Sequence, residues 1–279
     1  MGSTRVRVRR GVRGSPSLRG MGVLDLLYRL YERRLASELA GGPMPRHVGV
    51  ILDGNRRYAE ERGLGDASVG HAAGARRIDP FLDWCLDAEI PYVTLWLLST
   101  DNLDRDDVEV ARLLEIIEET VRRMATRPDA GERGLRVTAM GALDLLPEAT
   151  RACLREAEDA TRDHDRLHVQ VAVGYGGRQE ITDALRSLLA ERAAQGVSLE
   201  DLARTLEPED IGGHLYTNGL PDPDLIIRTS GEVRMSGFLL WQSAHSEFYF
   251  CDAYWPEFRR VDFLRALRDY QRRTRRFGR

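Results

Sequence analysis

Apolar residues fall along the chain in two rhythms. Short, nearly continuous runs at 47–52, 91–98, 135–140, 167–173, 224–228 and 247–251 predict strands. Between them, apolar positions recur at three- and four-residue spacing and predict helices at 56–63, 70–88, 107–125, 147–162, from beyond Arg178 to 194, at 198–206, at 208–216 and at 262–273. The stretch 64–70 reads as a small loop, and Gly70-His71 as the opening of the second of these helices. An amphipathic helix over 22–41 precedes them, with Val23, Leu24, Leu27, Leu30, Tyr31 and Leu35 at helical spacing and Gly41-Gly42 as its stop. The strands do not alternate apolar with polar residues, as a half-exposed sheet would. Continuous runs fit strands buried on both faces. The pattern therefore predicts an α/β fold: a single domain with a central, mostly parallel sheet of about six strands flanked by helices. No linker or internal repeat interrupts 44–260.

Composition narrows the chemistry. All 41 basic residues are arginine, because the chain contains no lysine. That excludes a lysine Schiff base and a Walker-type phosphate lysine. A bound phosphate would need arginine, backbone N–H groups, hydroxyls or a metal ion, and arginine suits the task because its fork pairs with oxyanions. Net charge is −3, so no global field calls for nucleic acid. Charge is uneven, though: the first 20 residues carry six arginines and no acid. They read as a disordered basic tail, with the domain running over 21–279. Cys85, Cys153 and Cys251 are far apart and odd in number, which argues against a disulfide framework or zinc site and suits a reducing, cytoplasmic location. No apolar run approaches the ~20 residues of a membrane span. The 22–41 helix is expected to pack on the domain; the alternative is a peripheral membrane contact aided by the nearby arginines.

The candidate chemistry lies where strands end. The first run stops abruptly at Asp53-Gly54-Asn55, followed by Arg56, Arg57 and a helix. A carboxylate beside a helix start suits a divalent cation shared with a phosphate, although Asp-Gly and Asn are also ordinary turn and cap residues. Other strands end in Ser99-Thr100-Asp101-Asn102 with Arg105, in Tyr175-Gly176-Gly177-Arg178, and in Arg228-Thr229-Ser230 with Arg234 and Ser236. In parallel sheets, ligands gather at that edge. Two separate arginine groups suggest two anionic substrates. The metal candidates are Asp53 and Glu247. One or two carboxylates with substrate phosphates and waters is the usual way to hold Mg²⁺.

These residues resemble the cis-prenyltransferases, the (Z)-isoprenyl diphosphate synthases. The resemblance runs from about His47 to Phe258. It is carried by His47-Val48-x-x-Ile51-Leu52-Asp53-Gly54-Asn55-x-Arg57, Gly70-His71-x-x-Gly74, Ser99-x-x-Asn102-x-x-Arg105, Tyr175-Gly176-Gly177-Arg178, the segment from Pro223 to Ser236, and Phe238-Leu239-Leu240-Trp241-Gln242 with Glu247. It implies a Mg²⁺-dependent homodimer that condenses isopentenyl diphosphate with an allylic diphosphate. Asp53 resembles the carboxylate that holds Mg²⁺, and Gly54, Asn55, Arg56, Arg57 and Tyr58 the loop that cradles the allylic diphosphate. Arg228, Arg234 and Ser236 resemble the clamp on isopentenyl diphosphate. Ser99, Thr100, Asp101, Asn102 and Arg105 match residues around the reacting carbons. His71 lies near the loop. Glu247 would join the metal site across the dimer, and Arg276-Phe277-Gly278 resembles a tail element completing the partner's site. The proton acceptor stays open among Asp53, a diphosphate oxygen, the Ser99–Asn102 pair and His71. His47, His164, His168, His214 and His245 are read as structural or solvated.

Departures from long-chain members are informative. Tyr58 replaces the usual Trp, the 64–70 loop is one residue longer and carries Asp66 where Arg is often seen, Gly174 replaces an Asn, and His245 replaces a Tyr. Leu97 stands where a small residue is common and Leu103 where Trp is common. Strand alternation puts Leu97 on the side of Ser99, where bulk would block a growing tail. The pattern resembles actinobacterial short-chain members and implies geranyl diphosphate as allylic substrate and (2Z,6E)-farnesyl diphosphate as product. The alternatives are a medium- or long-chain polyprenyl diphosphate synthase and, from other classes, a non-catalytic binding subunit or a nucleic-acid-binding module. The retained Asp53, Arg228 and Arg234 oppose the binding subunit, and the lack of an aromatic platform opposes the nucleic-acid module.

Overall fold

The computed structural model describes residues 23–126 and 134–274. The basic tail 1–20 and Arg276-Phe277-Gly278 lie outside the described residues, as do the side chains of Val23 and Leu24. In chain order the elements are α1 (Val23–Leu39), β1 (His47–Ile51), α2 (Asn55–Glu61), α3 (Ala67–Asp87), β2 (Tyr92–Ser99), α4 (Asp107–Thr126), β3 (Leu135–Met140), α5 (Glu148–Thr161), β4 (Leu167–Tyr175), α6 (Gly177–Ala194), α7 (Leu199–Thr205), α8 (Pro208–Gly212), β5 (Leu225–Arg228), β6 (Glu247–Phe250) and α9 (Arg260–Thr274).

The strands form one sheet in the order β3-β4-β2-β1-β5-β6, and every pairing is parallel. The expectation of a six-stranded, mostly parallel sheet therefore holds, with no antiparallel member. All five residues of β1 are buried. That is what a continuous apolar run at the centre of a doubly covered sheet requires, and each buried Val or Ile contributes about 1.5–3 kcal/mol. The chain leaves β1 toward β2 on one side and returns to β5 on the other. β1 and β5 thus meet at the topological switch point, where such sheets open a crevice at their carboxyl ends. Ile51 is level with both Trp96 and Arg228 along this edge.

Two element boundaries differ from expectation. α3 begins at Ala67, so Gly70-His71 lies inside its first turns and the loop before it is shorter. The cause is Asp66, whose side chain accepts the Ser68 N–H and caps the helix. The helix read over 208–216 ends at Gly212. α1 packs along α9, with Leu35 and Leu39 fully buried. Arg259 and Arg265 lie over the rings of Tyr28 and Tyr31. Leu27 and Leu30 stay exposed on the other side. Among the described residues no helix is long and apolar enough to cross a membrane. The three cysteines are buried and unpaired. His47 is structural: its ring bridges the Pro221 carbonyl oxygen and the Thr94 hydroxyl at 2.6 and 2.8 Å.

Candidate active site

The site grows from the end of β1. Gly54 follows Asp53 with φ +100°, and a Cβ there would stand 2.5 Å from the Tyr254 ring and 2.9 Å from Ser230 Cβ. Only glycine meets both demands. The turn aims the Asp53 side chain back across β1 toward β5, where its Oδ2 accepts from Arg228 Nη2 at 2.7 Å. Thr229 locks the two strand ends together: its hydroxyl accepts the Asp53 N–H at 3.0 Å and donates to the Asp53 carbonyl at 2.7 Å.

Arg228 is 4% exposed. Its other terminal nitrogen donates to Ser236 Oγ at 2.8 Å and to the Arg234 carbonyl at 2.5 Å. Ser236 itself sits at φ +50°, an uncommon conformation for a serine, in a segment tied to α6 by the Gly177 N–H donating to the Gly237 carbonyl. Arg57 donates to Ser230 Oγ at 2.7 Å and to Glu232 at 3.2 Å, and its Nη2 lies 3.6 Å from Asp53 Oδ1. Burial pushes the Asp53 carboxyl up, but the hydrogen bond and charge of Arg228, with Ser230 and Arg57, outweigh it and hold the group below the usual carboxylate range. Asp53 is thus an anion at neutral pH, facing arginines on two sides.

These groups line a cavity of about 340 Å³ with Asn55, Arg56, His71, Leu97, Ser99, Asn102 and Arg105. Twelve of the eighteen residues read from the sequence as site or chain-length residues therefore meet around one space, counting Gly54. Ser99 keeps a cap's role as well, its hydroxyl accepting the Asn102 N–H. Burial, reinforced by the charge of Arg105, lowers the His71 pKa, so the ring is neutral at pH 7, and its Nε2 has no protein partner. Glu109 completes the rim, paired to Arg105 at 2.9 Å and 3.6 Å from Arg56. Below the charged mouth, Leu52, Asn55, His71, Leu97 and Leu113 also border a narrow, mainly apolar slot of about 40 Å³ between α3, α4 and Trp255. Leu97 is the side chain from β2 that faces both spaces.

Six of the residues lie elsewhere. Tyr58 sits under the Arg62 guanidinium. Thr100 and Asp101 line a neighbouring space in front of α6, shared with Ser99, Asn102 and Arg178. Arg234 contributes its backbone carbonyl, while its side chain pairs with Glu232 in solvent. Leu103 does not border the slot; it stands beside Gly174, where an added Cβ would meet it at 3.6 Å. The two departures at 103 and 174 are thus neighbours. Glu247 pairs in register with Leu225, at the amino end of β5, whereas Asp53 lies beyond the carboxyl end of β1. Within one chain it is on the opposite edge, held by Arg273 at 3.3 Å. Among the described residues no three His, Cys, Asp or Glu side chains cluster to hold a metal. One carboxylate among arginines fits a hard cation that arrives with a diphosphate, because phosphate oxygens and water supply the remaining ligands. Glu109, Trp96 and Leu113 were not singled out from the sequence; the i, i+4 spacing of Arg105 and Glu109 was the one available signal.

A family model described as "Putative undecaprenyl diphosphate synthase" matches residues 51–278. The chain belongs to that prenyltransferase family. The (2Z,6E)-farnesyl diphosphate synthase of Thermobifida fusca is 60% identical over 259 residues, 92% of this chain and all of that one. An isoprenyl transferase of Deinococcus radiodurans is 52% identical, across 89% of this chain and 90% of its own length. The crystal structure of lavandulyl diphosphate synthase from Lavandula x intermedia, in complex with dimethylallyl diphosphate, superposes with a TM-score of 0.74 at 32% identity, covering 82% of this chain and 95% of that one. This chain is a prenyl-group transferase of the isoprenyl diphosphate synthase type.

Proposed function

We propose that the protein condenses geranyl diphosphate with isopentenyl diphosphate to give (2Z,6E)-farnesyl diphosphate, and stops after that one addition. The observation that carries this reading is Leu97, a bulky side chain at the junction of the charged cavity and the narrow slot beneath it. The 60% identity to a synthase of that product supports it.

The chemistry follows from the charges. The allylic diphosphate lies over the Gly54–Arg57 turn, and isopentenyl diphosphate over Arg228 and Ser236. The C1–O bond of the allylic substrate breaks and negative charge grows on the leaving diphosphate. Arg56 and Arg57 and the free N–H groups at the start of α2 stabilise that charge. The double bond of isopentenyl diphosphate attacks C1, forming the new C–C bond, and C2 gives up a proton to an acceptor among a diphosphate oxygen, Asp53, the Ser99–Asn102 pair and His71, regenerating a double bond. Bound Mg²⁺ would supply further positive charge to the leaving group. Asp53 is the residue that would hold it, and Arg228 keeps that carboxylate ionised and aimed. Glu247 would join only from a second copy of the chain, which is why a homodimer is part of this reading. A cytoplasmic enzyme with a peripheral membrane contact through α1 is compatible with its exposed Leu27 and Leu30. Incubation of the purified protein with geranyl diphosphate and labelled isopentenyl diphosphate, followed by product separation, tests the proposal. A C15 product supports it; a C50 or longer product refutes it.

A further inference from the structure

We propose that the ion pair between Arg123 on α4 and Asp79 on α3 is a second stop on product length, bracing the flank of the slot beyond Leu97. This rests on the reading of that slot as the seat of the prenyl tail. α3 and α4 both pass the charged cavity near their starts, through His71 and Leu113, and descend from it along the slot. Deeper in, the slot meets Ala75 and Ile116, then Ile78 and Thr120.

Straight down, volume closes the way. Ile78 and Ile117 are 2% and 3% exposed, and Leu82 and Met124 fill the core beyond. The flank between the two helices is different. Ala75, Ile116 and Thr120 border the slot on one side and an outer groove on the other. Two of those three side chains are small, so bulk alone does not separate the spaces. Arg123 spans the groove. Its Nε donates to Asp79 Oδ2 at 2.9 Å, and its Nη2 donates to the Ala75 carbonyl at 3.1 Å. Both partners are largely shielded, with side-chain exposures of 29% and 17%. A hydrocarbon tail pushing out between the helices would have to part this strut and leave its charges against apolar carbon. Leu97 stops the tail first; the strut decides how far it runs once Leu97 is gone.

Product length is measured with geranyl diphosphate and labelled isopentenyl diphosphate for the wild type, Leu97→Ala, Leu97→Ala with Arg123→Met, and Leu97→Ala with Arg123→Lys. Leu97→Ala lengthens the main product. Adding Arg123→Met lengthens it by at least one further isoprene unit, while Arg123→Lys, which keeps a cation on the strut, does not. Arg123→Met alone leaves the wild-type product unchanged, because Leu97 still stands above it. Leu97→Ala with Asp79→Asn breaks the pair from the other helix and gives the longer product too, which guards against a folding defect peculiar to position 123. Active double variants with the product length of Leu97→Ala alone overturn the strut, as does a Lys variant that lengthens products as much as Met. A wild-type enzyme that already makes long polyprenols overturns the short-chain function instead, whatever the variants do.

Discussion

The charged mouth of the cavity and the slot beneath it are held by different forces. At the mouth, Asp53, Arg57, Arg228 and Ser236 fix one another through hydrogen bonds of 2.7 to 2.8 Å and ion pairs across three segments of chain. In the slot, Leu97, Leu113, Ile116 and Ile78 line the walls with apolar volume. Charge placed to a fraction of an ångström recognises a diphosphate, and every prenyl diphosphate presents the same one. Volume recognises how much hydrocarbon follows. On the proposed function the mouth sets the reaction and the slot the product, and a substitution in one should leave the other's property largely intact.

The largest test of that separation is Asp53→Asn, which keeps the shape and removes the charge. The expected fall in kcat/KM is about 10³-fold, with product length unchanged in whatever is made. Arg228 also loses its counter-charge while buried, so stability should fall by about 1–3 kcal/mol. Near-normal steady-state rates would break the account of the mouth. Ser236→Ala is milder. It removes one acceptor from Arg228, and the KM for isopentenyl diphosphate should rise about tenfold with a smaller change in kcat. A rise confined to the allylic substrate would reassign the clamp.

Leu97→Ala should do the reverse. Turnover should stay within a few-fold, stability should fall by about 1–2 kcal/mol because the side chain is only partly buried, and the product should lengthen. Unchanged length in an active variant would place the stop elsewhere.

Much of the mouth was legible in the sequence because a parallel sheet collects the ends of its strands. Asp53 follows β1 and Arg228 ends β5, and the switch point brings them together however far apart they lie in the chain. Pairings between elements were not legible. Nothing in the spacing of Thr229 or Arg123 says that one would lock Asp53 to β5 and the other would bridge α4 to α3. The run 247–251 puts Glu247 at the start of its strand but does not say whether that strand runs parallel to β5, and the direction is what sets the sheet edge on which Glu247 lies. Leu103 shows the limit for volume: its size is visible in the sequence, but its direction, toward Gly174 rather than the slot, depends on the short 3₁₀ turn after β2.

The smallest effect concerns pH and belongs to neither region alone. Burial lowers the pKa of His47 and, with the charge of Arg105, of His71; it pushes His168 down to about 4. The unfolded chain takes up these protons as pH falls through about 6.5, while the folded protein does not. Stability is therefore full above that pH and declines as pH falls toward 4. The Asp53–Arg228 pair is lost in the same direction, but only from the ordinary carboxylate range downward, because the folded carboxyl titrates below it. A Tm that falls steadily between pH 7 and pH 5 is expected; a flat profile would mean that the buried rings take up protons in place.

The central claim is that Leu97 ends elongation after a single addition. The most direct measurement is the chain length made from geranyl diphosphate and excess labelled isopentenyl diphosphate by the wild-type protein and by Leu97→Ala, run side by side. The account predicts C15 for the wild type and longer chains for the variant. Long polyprenols from the wild type, or C15 from both, would contradict it.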